Sequence, residues 1–338
     1  MKVLLYFENE ELITKSGIGR AYEHQKKALS YAGVEYTTDP SCRDYDILHI
    51  NTYGINSNTM VHNARRMKKK VIYHAHSTEE DFRNSFTLSN IVSPLIKKWL
   101  VSLYNQSDVL ITPTKYSRHL LLNYGIQKPI FPISNGVDLN RFRKDEGKAK
   151  IFRDYFHLPE DQKVVMGVGL LFARKGIRDF VSVAEAFPDY KFIWFGDISK
   201  LIIPLEISEI VENPPANVIF PGYITGDVIE GAYSAASCFF FPSHEETEGI
   251  VVLEALASEC PVIVRDIGVF EDWLTDGVNC RKAKTKREFI DAIRQVSEND
   301  ASVLTQNGLV TAKERDLSII GSHLKDVYEF AMHMETVQ

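Results

Sequence analysis

Short apolar runs alternate with longer helical patterns along the chain, and this alternation limits the possible folds more than any other feature. In the first half, the apolar runs span residues 3–7, 47–50, 71–74, 109–112 and 130–133. Helical patterns lie between them, near 19–32, 57–67, 91–105 and 116–124. A strand–helix alternation of this kind predicts a parallel sheet with helices on both faces.

The alternation starts again after residues 138–147, a charged stretch without an apolar period that we predict to be a linker. The second set has apolar runs at 164–168, 192–195, 218–220, 238–241 and 262–264, with helical patterns at 177–186, 228–234, 250–257 and 286–296. A last helical pattern, 317–334, has no strand after it.

A chain of 338 residues is also longer than one typical core organises. We therefore predict an α/β fold in which two doubly wound parallel-sheet domains face each other across a cleft. The first domain would comprise residues 1–145 and the C-terminal helix 317–338, and the second would comprise 146–316.

The composition excludes several classes of protein. With 44% hydrophobic and 25% charged residues, the chain has the balance of a soluble globular protein. A formal charge of −6 is too acidic for a general nucleic-acid binder. No apolar run approaches the roughly 20 residues of a membrane helix, and the first eight residues are too short and acidic for a secretory signal. The four scattered cysteines favour a reducing cytoplasm over a disulfide scaffold or a structural metal.

The charge is unevenly distributed. Residues 1–145 hold 12 lysines and 8 arginines against 14 acidic residues, a net charge of +6, so the remainder carries −12. One basic cluster comprises Arg65, Arg66, Lys68, Lys69 and Lys70. A second basic segment, 91–104, has apolar residues at helical spacing around Lys97, Lys98 and Trp99. This composition is typical of a helix on an anionic membrane surface, although a core-facing helix with solvated lysines fits equally well.

Two cationic side chains, Arg174 and Lys175, follow the apolar run 164–168 and precede a helical pattern. This position suits a phosphate, because the start of a helix adds free N–H groups and a positive dipole end. Arginine binds phosphate oxygens in a fork, whereas lysine supplies a point charge. A solvated basic turn is the alternative.

Two acidic side chains, Glu246 and Glu254, flank the start of another predicted helix near Gly249. The first amides of that helix, at Gly249, Ile250 and Val251, are available for a second phosphate contact. Glu254 is surrounded by apolar neighbours and needs a polar partner, such as the diol of a ligand. Alternatively, Glu246 caps the helix and Glu254 pairs with a lysine.

Two histidines, His74 and His76, end the apolar run 71–74. No third metal ligand follows at a suitable spacing, so no metal site is predicted. A hydrogen bond from His76 to a bound polar group is the favoured role, and a structural histidine is the alternative. Earlier in the chain, Gly17 lies in a glycine-containing loop where a backbone can approach a ligand closely.

Together these motifs resemble those of the retaining glycosyltransferases of family 4, which have the GT-B architecture. The strongest match is Glu246-x7-Glu254, and further similar segments are 17–20, 135–138, 168–176, 266–268 and 276–279. The chain departs from the family pattern at Leu170, where many members have arginine, at Ser16, where glycine is usual, and at Glu248, where an aromatic residue is common. The Arg-Lys-Gly turn, the 16–20 loop and the basic segment resemble bacterial diacylglycerol glycosyltransferases, especially those that extend a monoglucosyl diacylglycerol.

The resemblance implies transfer of glucose or galactose from a UDP-sugar to a glycolipid, with an α-linked product and without a metal or other cofactor. Arg174 and Lys175 would hold the diphosphate, helped by backbone contacts at Gly17, Gly249, Ile250 and Val251. Glu254 would bind the ribose, Glu246 the sugar hydroxyls and His76 the region of the sugar 6-hydroxyl. The basic first domain would bind the acceptor at the inner face of the cell membrane. A soluble acceptor, or a sugar-nucleotide epimerase, remains an alternative.

Overall fold

The computed structural model describes residues 1–9, 16–85, 89–197 and 203–334. The last residues of the predicted C-terminal helix, 335–338, lie outside this range. The chain forms two compact units. The first comprises Met1–Asp81, Ile91–Gly136 and Arg315–Gln338, and the second comprises Phe82–Asn90 and Val137–Glu314.

The first unit is built on a parallel sheet of six described strands. They are β1 (Lys2–Tyr6), β2 (Glu35–Thr37), β3 (Ile47–Ile50), β4 (Lys70–His74), β5 (Val109–Thr112) and β6 (Ile130–Pro132), in the spatial order β2-β1-β3-β4-β5-β6. The helices of this half are α1 (Gly17–Tyr31), α2 (Ile55–Arg66), α3 (Glu79–Phe82), α4 (Ser89–Tyr104) and α5 (Lys115–Asn123), joined by the C-terminal helix α13 (Leu317–His333).

Helices cover both faces of this sheet, because successive strand residues point to opposite sides and both sides are apolar. On one face, Leu5 and Ile72 pack with Leu29 of α1 and Leu324 of α13. On the other face, a separate cluster joins the strands to α2 and α4. Every residue of β3 and β4 is buried, and most of them are apolar, which explains why both strands are visible in the sequence.

The second unit repeats this architecture with a second parallel sheet. Its strands are β7 (Val164–Val168), β8 (Lys191–Phe195), β9 (Val218–Gly222), β10 (Cys238–Phe241), β11 (Val262–Arg265) and β12 (Arg281–Ala283), in the order β12-β11-β10-β7-β8-β9. Its helices are α6 (Glu146–Tyr155), α7 (Ile177–Ala184), α8 (Leu205–Glu212), α9 (Asp227–Ala235), α10 (Ile250–Ala257), α11 (Lys286–Glu298) and α12 (Ser302–Lys313). The predicted pair of doubly wound parallel sheets is therefore confirmed.

Each sheet has a point where the strand order reverses. In the first sheet this point lies between β1 and β3, and in the second it lies between β7 and β10. Loops that leave the carboxyl ends of the two strands at such a point diverge to opposite faces and leave a crevice where ligands bind. The loops after β7 and β10 are the ones that carry Lys175 and Glu246.

The boundary between the units differs from the predicted one at residue 145. Residues 138–147 are a packed part of the second unit rather than a linker. Phe142 is 1% exposed, and its ring lies 5.8 Å from that of Tyr233. Arg141 also donates from Nε to Oε1 of Glu230 at 2.6 Å, and the Asp145 side chain caps α6. Charged residues that pair and cap within a unit have the same composition as a solvated linker, so the sequence did not distinguish the two.

Candidate active site

The loop after β7 folds into a short 3₁₀ turn, Ala173–Lys175, before α7 begins at Ile177. Gly176 joins the two with a φ of 78°. A Cβ at this position would lie 2.4 Å from the carbonyl oxygen of Pro242, the residue that follows β10. Glycine is therefore required both for the backbone conformation and for the close approach of the two loops.

The side chain of Arg174 is held at several points. Its Nε donates to Oγ of Ser85 at 2.8 Å, and its Nη1 donates to the carbonyl oxygen of Glu245 at 2.9 Å. Its backbone N–H also donates to the carbonyl oxygen of Asn84 at 2.9 Å. These contacts explain why the Phe82–Asn90 segment belongs to the second unit. They also fix the position of a buried positive charge beside Glu246, 3.7 Å from its carboxylate.

Glu246 is the carboxylate on which the site converges. It is 6% exposed, and its Oε1 accepts from Nζ of Lys175 at 2.5 Å and from Oγ of Ser243 at 2.6 Å. Burial alone would raise the pKa of this carboxyl group, but Lys175 and then Arg174 outweigh burial and hold the pKa below its ordinary value. Glu246 is therefore ionised at neutral pH.

Helix α10 begins directly after this carboxylate. Gly249 precedes it with a φ of 90°, and no side chain caps the helix there. The first amides of a helix have no partner within the helix, so the N–H groups near Gly249, Ile250 and Val251 suit an anion. The site thus combines a fixed cation, an ionised carboxylate and a helix start at the carboxyl edge of one sheet.

Glu254 lies one turn inside α10 and is fully buried. Its Oε2 accepts from the hydroxyl of Tyr233 on α9 at 2.8 Å. Tyr233 is thus one polar partner of this carboxylate, and the role of Glu254 in binding a ribose diol stays a prediction. Glu248, which stands where many family members have an aromatic residue, is 2% exposed.

The other two residues predicted to contact the donor, Gly17 and His76, belong to the first unit. Gly17 is the first residue of α1, whose N-cap Ser16 accepts from the backbone N–H of Gly19. A Cβ at Gly17 would meet no described atom within 4 Å, so packing does not require glycine there. His76 follows β4, is 5% exposed and bonds through Nε2 to Oδ1 of Asn51 at 3.0 Å.

The predicted membrane-binding residues fall into two groups. Several have partners within their own unit: Arg65 pairs with Asp108 at 2.8 Å, Lys70 donates to the carbonyl oxygen of Met334, Lys97 pairs with Glu79 at 3.2 Å, Trp99 donates to the carbonyl oxygen of Tyr53, and Lys69 lies over the ring of Tyr45. Arg66, Lys68 and Lys98 are exposed. Contacts within the unit do not test membrane binding, so the role of these residues at a membrane stays a prediction.

Sequence reasoning missed the partners that hold these groups in place. Ser243 lies three residues before Glu246, directly beyond β10, and the strand-end argument could have identified it. Asn51 follows β3 in the same way. Ser85 and Tyr233 gave no such signal, because each reaches its partner from a segment that is distant in sequence.

Two kinds of feature are absent from the described ranges. No group of three or more His, Cys, Asp or Glu side chains there is arranged to hold a metal ion. No helix there is long and apolar enough to cross a membrane.

Comparison with known proteins identifies the family. The model described as Glycosyltransferase Family 4 matches residues 32–141, and the model described as Glycosyl transferases group 1 matches residues 149–309. The chain is 46% identical to the processive diacylglycerol alpha-glucosyltransferase of Acholeplasma laidlawii, over 97% of this chain and 98% of that protein. It is 26% identical to the alpha-galactosylglucosyldiacylglycerol synthase of Streptococcus pneumoniae, over 87% and 79% of the two chains.

Solved structures show the same fold at low sequence identity. The sucrose-phosphate synthase of Thermosynechococcus elongatus superposes with a TM-score of 0.82 at 17% identity, over 98% of both chains. Anabaena Alr3699/HepE in complex with UDP-glucose superposes with a TM-score of 0.76 at 17% identity, over 98% of this chain and all of the other. The chain therefore belongs to glycosyltransferase family 4 and is a glycosyltransferase of the GT-B fold.

Proposed function

We propose that this enzyme transfers a glucosyl or galactosyl group from a UDP-sugar to a monoglucosyl diacylglycerol, with retention, to form an α-linked diglycosyl diacylglycerol. The observation that carries the proposal is the ion pair between Lys175 and the buried Glu246 at the switch point of the second sheet. The names of the two relatives, which act on diacylglycerol lipids, support the choice of acceptor.

The donor would exchange partners with this pair. Lys175 would contact the diphosphate and stabilise the negative charge that grows as UDP leaves, and Arg174 would add positive potential from its fixed position. Glu246 would then accept hydrogen bonds from hydroxyl groups of the sugar. The amides of Gly17 and of the start of α10 would bind phosphate oxygens, Glu254 would bind the ribose diol, and His76 would contact the sugar near its 6-hydroxyl.

The reaction would need no covalent carboxylate. The acceptor hydroxyl oxygen would attack the anomeric carbon on the face from which UDP departs, while the bond from that carbon to the phosphate oxygen breaks. The departing phosphate would take the acceptor proton. Because Lys175 supplies the positive charge at the leaving group, catalysis would not depend on a divalent metal ion.

An exposed apolar strip on α4 is the proposed contact with the membrane. Ile91 and Leu95 are 72% and 66% exposed, and Lys98 follows on the same helical face. An apolar strip beside a cation is the composition of an interfacial helix. We therefore place the enzyme at the cytoplasmic face of the cell membrane as a peripheral protein, bound to anionic lipid.

A donor and acceptor screen tests the reaction. Radiolabelled UDP-glucose and UDP-galactose are incubated with the enzyme, with and without monoglucosyl diacylglycerol in mixed micelles. The proposal requires label in the organic phase only when the glycolipid is present, and an α anomeric linkage by NMR. Label in a water-soluble glycan would instead indicate a soluble acceptor, isomerised nucleotide sugar would indicate an epimerase, and a β linkage would refute retention.

Vesicle sedimentation tests the membrane contact. The enzyme should sediment with phosphatidylglycerol vesicles at low salt and be released at high salt. The Ile91→Ser/Leu95→Ser variant should stay in the supernatant. The matched control, Leu205→Ser/Val303→Ser, removes two apolar side chains of the second unit that are 76% and 70% exposed, and it should bind like the wild type. Equal binding by both variants would contradict the assignment to α4.

A further inference from the structure

A continuous line of hydrogen bonds runs through the first unit from the C-terminal helix to His76. The hydroxyl of Tyr328 lies 2.7 Å from Nδ1 of His49. The amide nitrogen of Gln25 lies 3.0 Å from Nδ1 and 3.1 Å from Nε2 of the same ring. We call the five residues Tyr328, His49, Gln25, Asn51 and His76 the polar chain. They come from α13, β3, α1 and the segments that follow β3 and β4.

The second half of the polar chain has a defined direction. Nδ2 of Asn51 donates to Oε1 of Gln25 at 2.8 Å, which leaves Oδ1 of Asn51 facing Nε2 of His76 at 3.0 Å. A carbonyl oxygen is an acceptor, so Nε2 of His76 must carry the proton. Nδ1 of His76 is then an acceptor, and it has no partner in the described part of the chain.

The first half of the polar chain agrees with this direction. The amide nitrogen of Gln25 lies within reach of both ring nitrogens of His49; we assign Nε2 as the acceptor, which leaves Nδ1–H to donate to the oxygen of Tyr328. Burial raises the pKa of Tyr328, while a bond from Gln25 lowers it, as expected when the tyrosine oxygen is an acceptor. With this assignment, the donor and acceptor roles of each residue in the polar chain agree with those of its neighbours, and the hydrogen bonds reinforce one another.

The surroundings keep the three imidazole rings of this region neutral. His76 stacks on His74 with ring centroids 4.0 Å apart, and His74 lies 5.4 Å from His49. Burial lowers the pKa of His76 to about 3 and that of His49 to about 3. The polar partners of these rings in the described residues are two amides and the Tyr328 hydroxyl. A neutral imidazole has one donor and one acceptor, so its tautomer decides what it offers to a ligand.

We propose that the polar chain is a positioning device that holds His76 in the Nε2–H tautomer, so that its Nδ1 accepts a hydrogen bond from a hydroxyl of the transferred sugar. Asn51 acts directly on His76, and Gln25, His49 and Tyr328 act through Asn51. The identity of the ligand as a sugar rests on the proposed function, whereas the tautomer of His76 does not. A donor sugar with a hydroxyl near Nδ1, such as the 6-hydroxyl of glucose, gains this hydrogen bond. A donor sugar without that hydroxyl does not.

The tautomer is measured in the ligand-free protein. Long-range ¹H–¹⁵N NMR separates Nε2–H from Nδ1–H imidazole, and a His76→Gln variant assigns the signal. The wild type should show Nε2–H alone. Tyr328→Phe removes the hydroxyl at the first end of the polar chain. The side-chain amides of Gln25 and Asn51 can then exchange their donor and acceptor positions, and a mixture of His76 tautomers should appear. The control is Tyr45→Phe, which removes a buried hydroxyl of the same unit that has no hydrogen-bond partner among described residues.

Each possible tautomer result either supports the proposal or overturns it. The Nδ1–H form in the wild type, or an unchanged signal in Tyr328→Phe, would overturn the proposal. Asn51→Leu should release the tautomer, and Asn51→Asp, which restores an oxygen acceptor at that position, should return it to Nε2–H. None of these outcomes depends on which sugar the enzyme transfers.

Kinetics then connect the tautomer to the ligand. Asn51→Leu should lower kcat/KM for UDP-glucose about tenfold, the effect of one lost hydrogen bond, and leave kcat/KM for UDP-6-deoxyglucose within a factor of two. Equal losses for both donors would indicate general damage and would overturn the role assigned to Asn51. If no UDP-sugar is a donor while the Nε2–H tautomer is observed, the proposed function fails and the polar chain stands.

Discussion

The ion pair between Lys175 and Glu246 can be tested by substituting each residue in turn and measuring the free energy of unfolding. Lys175→Met leaves a carboxylate that is 6% exposed with Arg174 as its remaining cation, 3.7 Å away. We expect a loss of about 3 kcal/mol in the free energy of unfolding, because a buried charge that loses its partner is costly. Glu246→Gln removes the carboxylate that pairs with the partly buried Lys175 and lies beside the buried Arg174, and we expect a loss of about 4 kcal/mol.

The double variant separates stability from activity. Lys175→Met/Glu246→Gln removes both charges of the close pair, and the remaining cost comes from the loss of the carboxylate beside Arg174, so its loss should stay near 4 kcal/mol. The sum of the single losses is about 7 kcal/mol, so the two sites should be coupled by about 3 kcal/mol. Under the proposed mechanism turnover should not recover in the double variant, since the cation assigned to the leaving diphosphate is still absent, and its removal should lower kcat about a hundredfold.

Urea unfolding and the initial rate of lipid labelling measure the two quantities on the same preparations. Losses of unfolding free energy that add to within about 0.5 kcal/mol would show that the residues do not act as a pair. A double variant that regained turnover along with stability would show that Lys175 supports the fold and not the leaving group.

Four other predictions follow from the described contacts. Tyr233→Phe removes the hydroxyl that donates to the fully buried Glu254 and should cost about 2 kcal/mol in urea unfolding, together with a higher KM for the UDP-sugar. Gly176→Ala should lower the thermal midpoint clearly, because its backbone conformation alone costs about 1–3 kcal/mol and its Cβ would press on Pro242. The pKa of Glu246 is depressed in the folded state, so its contribution to stability is present above pH 4.5 and is lost as the pH falls below that value; Glu246→Gln should lack this acid-dependent loss in urea titrations. EDTA should leave the initial rate of transfer unchanged, and added Mg²⁺ should not raise it.

The strands most visible in the sequence are those buried on both faces. Every residue of β3 and β10 is buried, all are apolar except His49, and the bounds of both strands match the predicted ones. β2 and β12 were missed because they are three-residue edge strands with polar or half-exposed side chains. α12 was missed for another reason: its buried residues are Gly308, Thr311 and Ala312, so its packing face is made of small side chains that produce no hydrophobic period.

The candidate site was partly predictable because parallel strands end at one edge of a sheet. That geometry placed Lys175 and Glu246 in loops after β7 and β10, and the structure shows the two side chains in contact. The sequence did not show that the cation and the acid bind each other, since both were predicted to contact a ligand. Tyr328 lies 279 residues from His49, and no local pattern connects a residue on the C-terminal helix to a strand near the start of the chain.

The contact between Lys175 and Glu246 also bears on how a charged donor can enter a buried site. A lone buried lysine would tend to lose its proton and a lone buried glutamate would tend to gain one, because burial penalises the charged form. The contact with Lys175 lowers the pKa of Glu246 and keeps that carboxylate ionised before the donor arrives. A diphosphate that takes Lys175 leaves Glu246 without its closest cation, which is costly unless sugar hydroxyls replace it. Under the proposed function, the diphosphate would replace Glu246 as the partner of Lys175, and the sugar hydroxyls would replace Lys175 as partners of Glu246. A nucleotide without the sugar would supply only the first of these contacts, so the ion pair would favour binding of the intact donor.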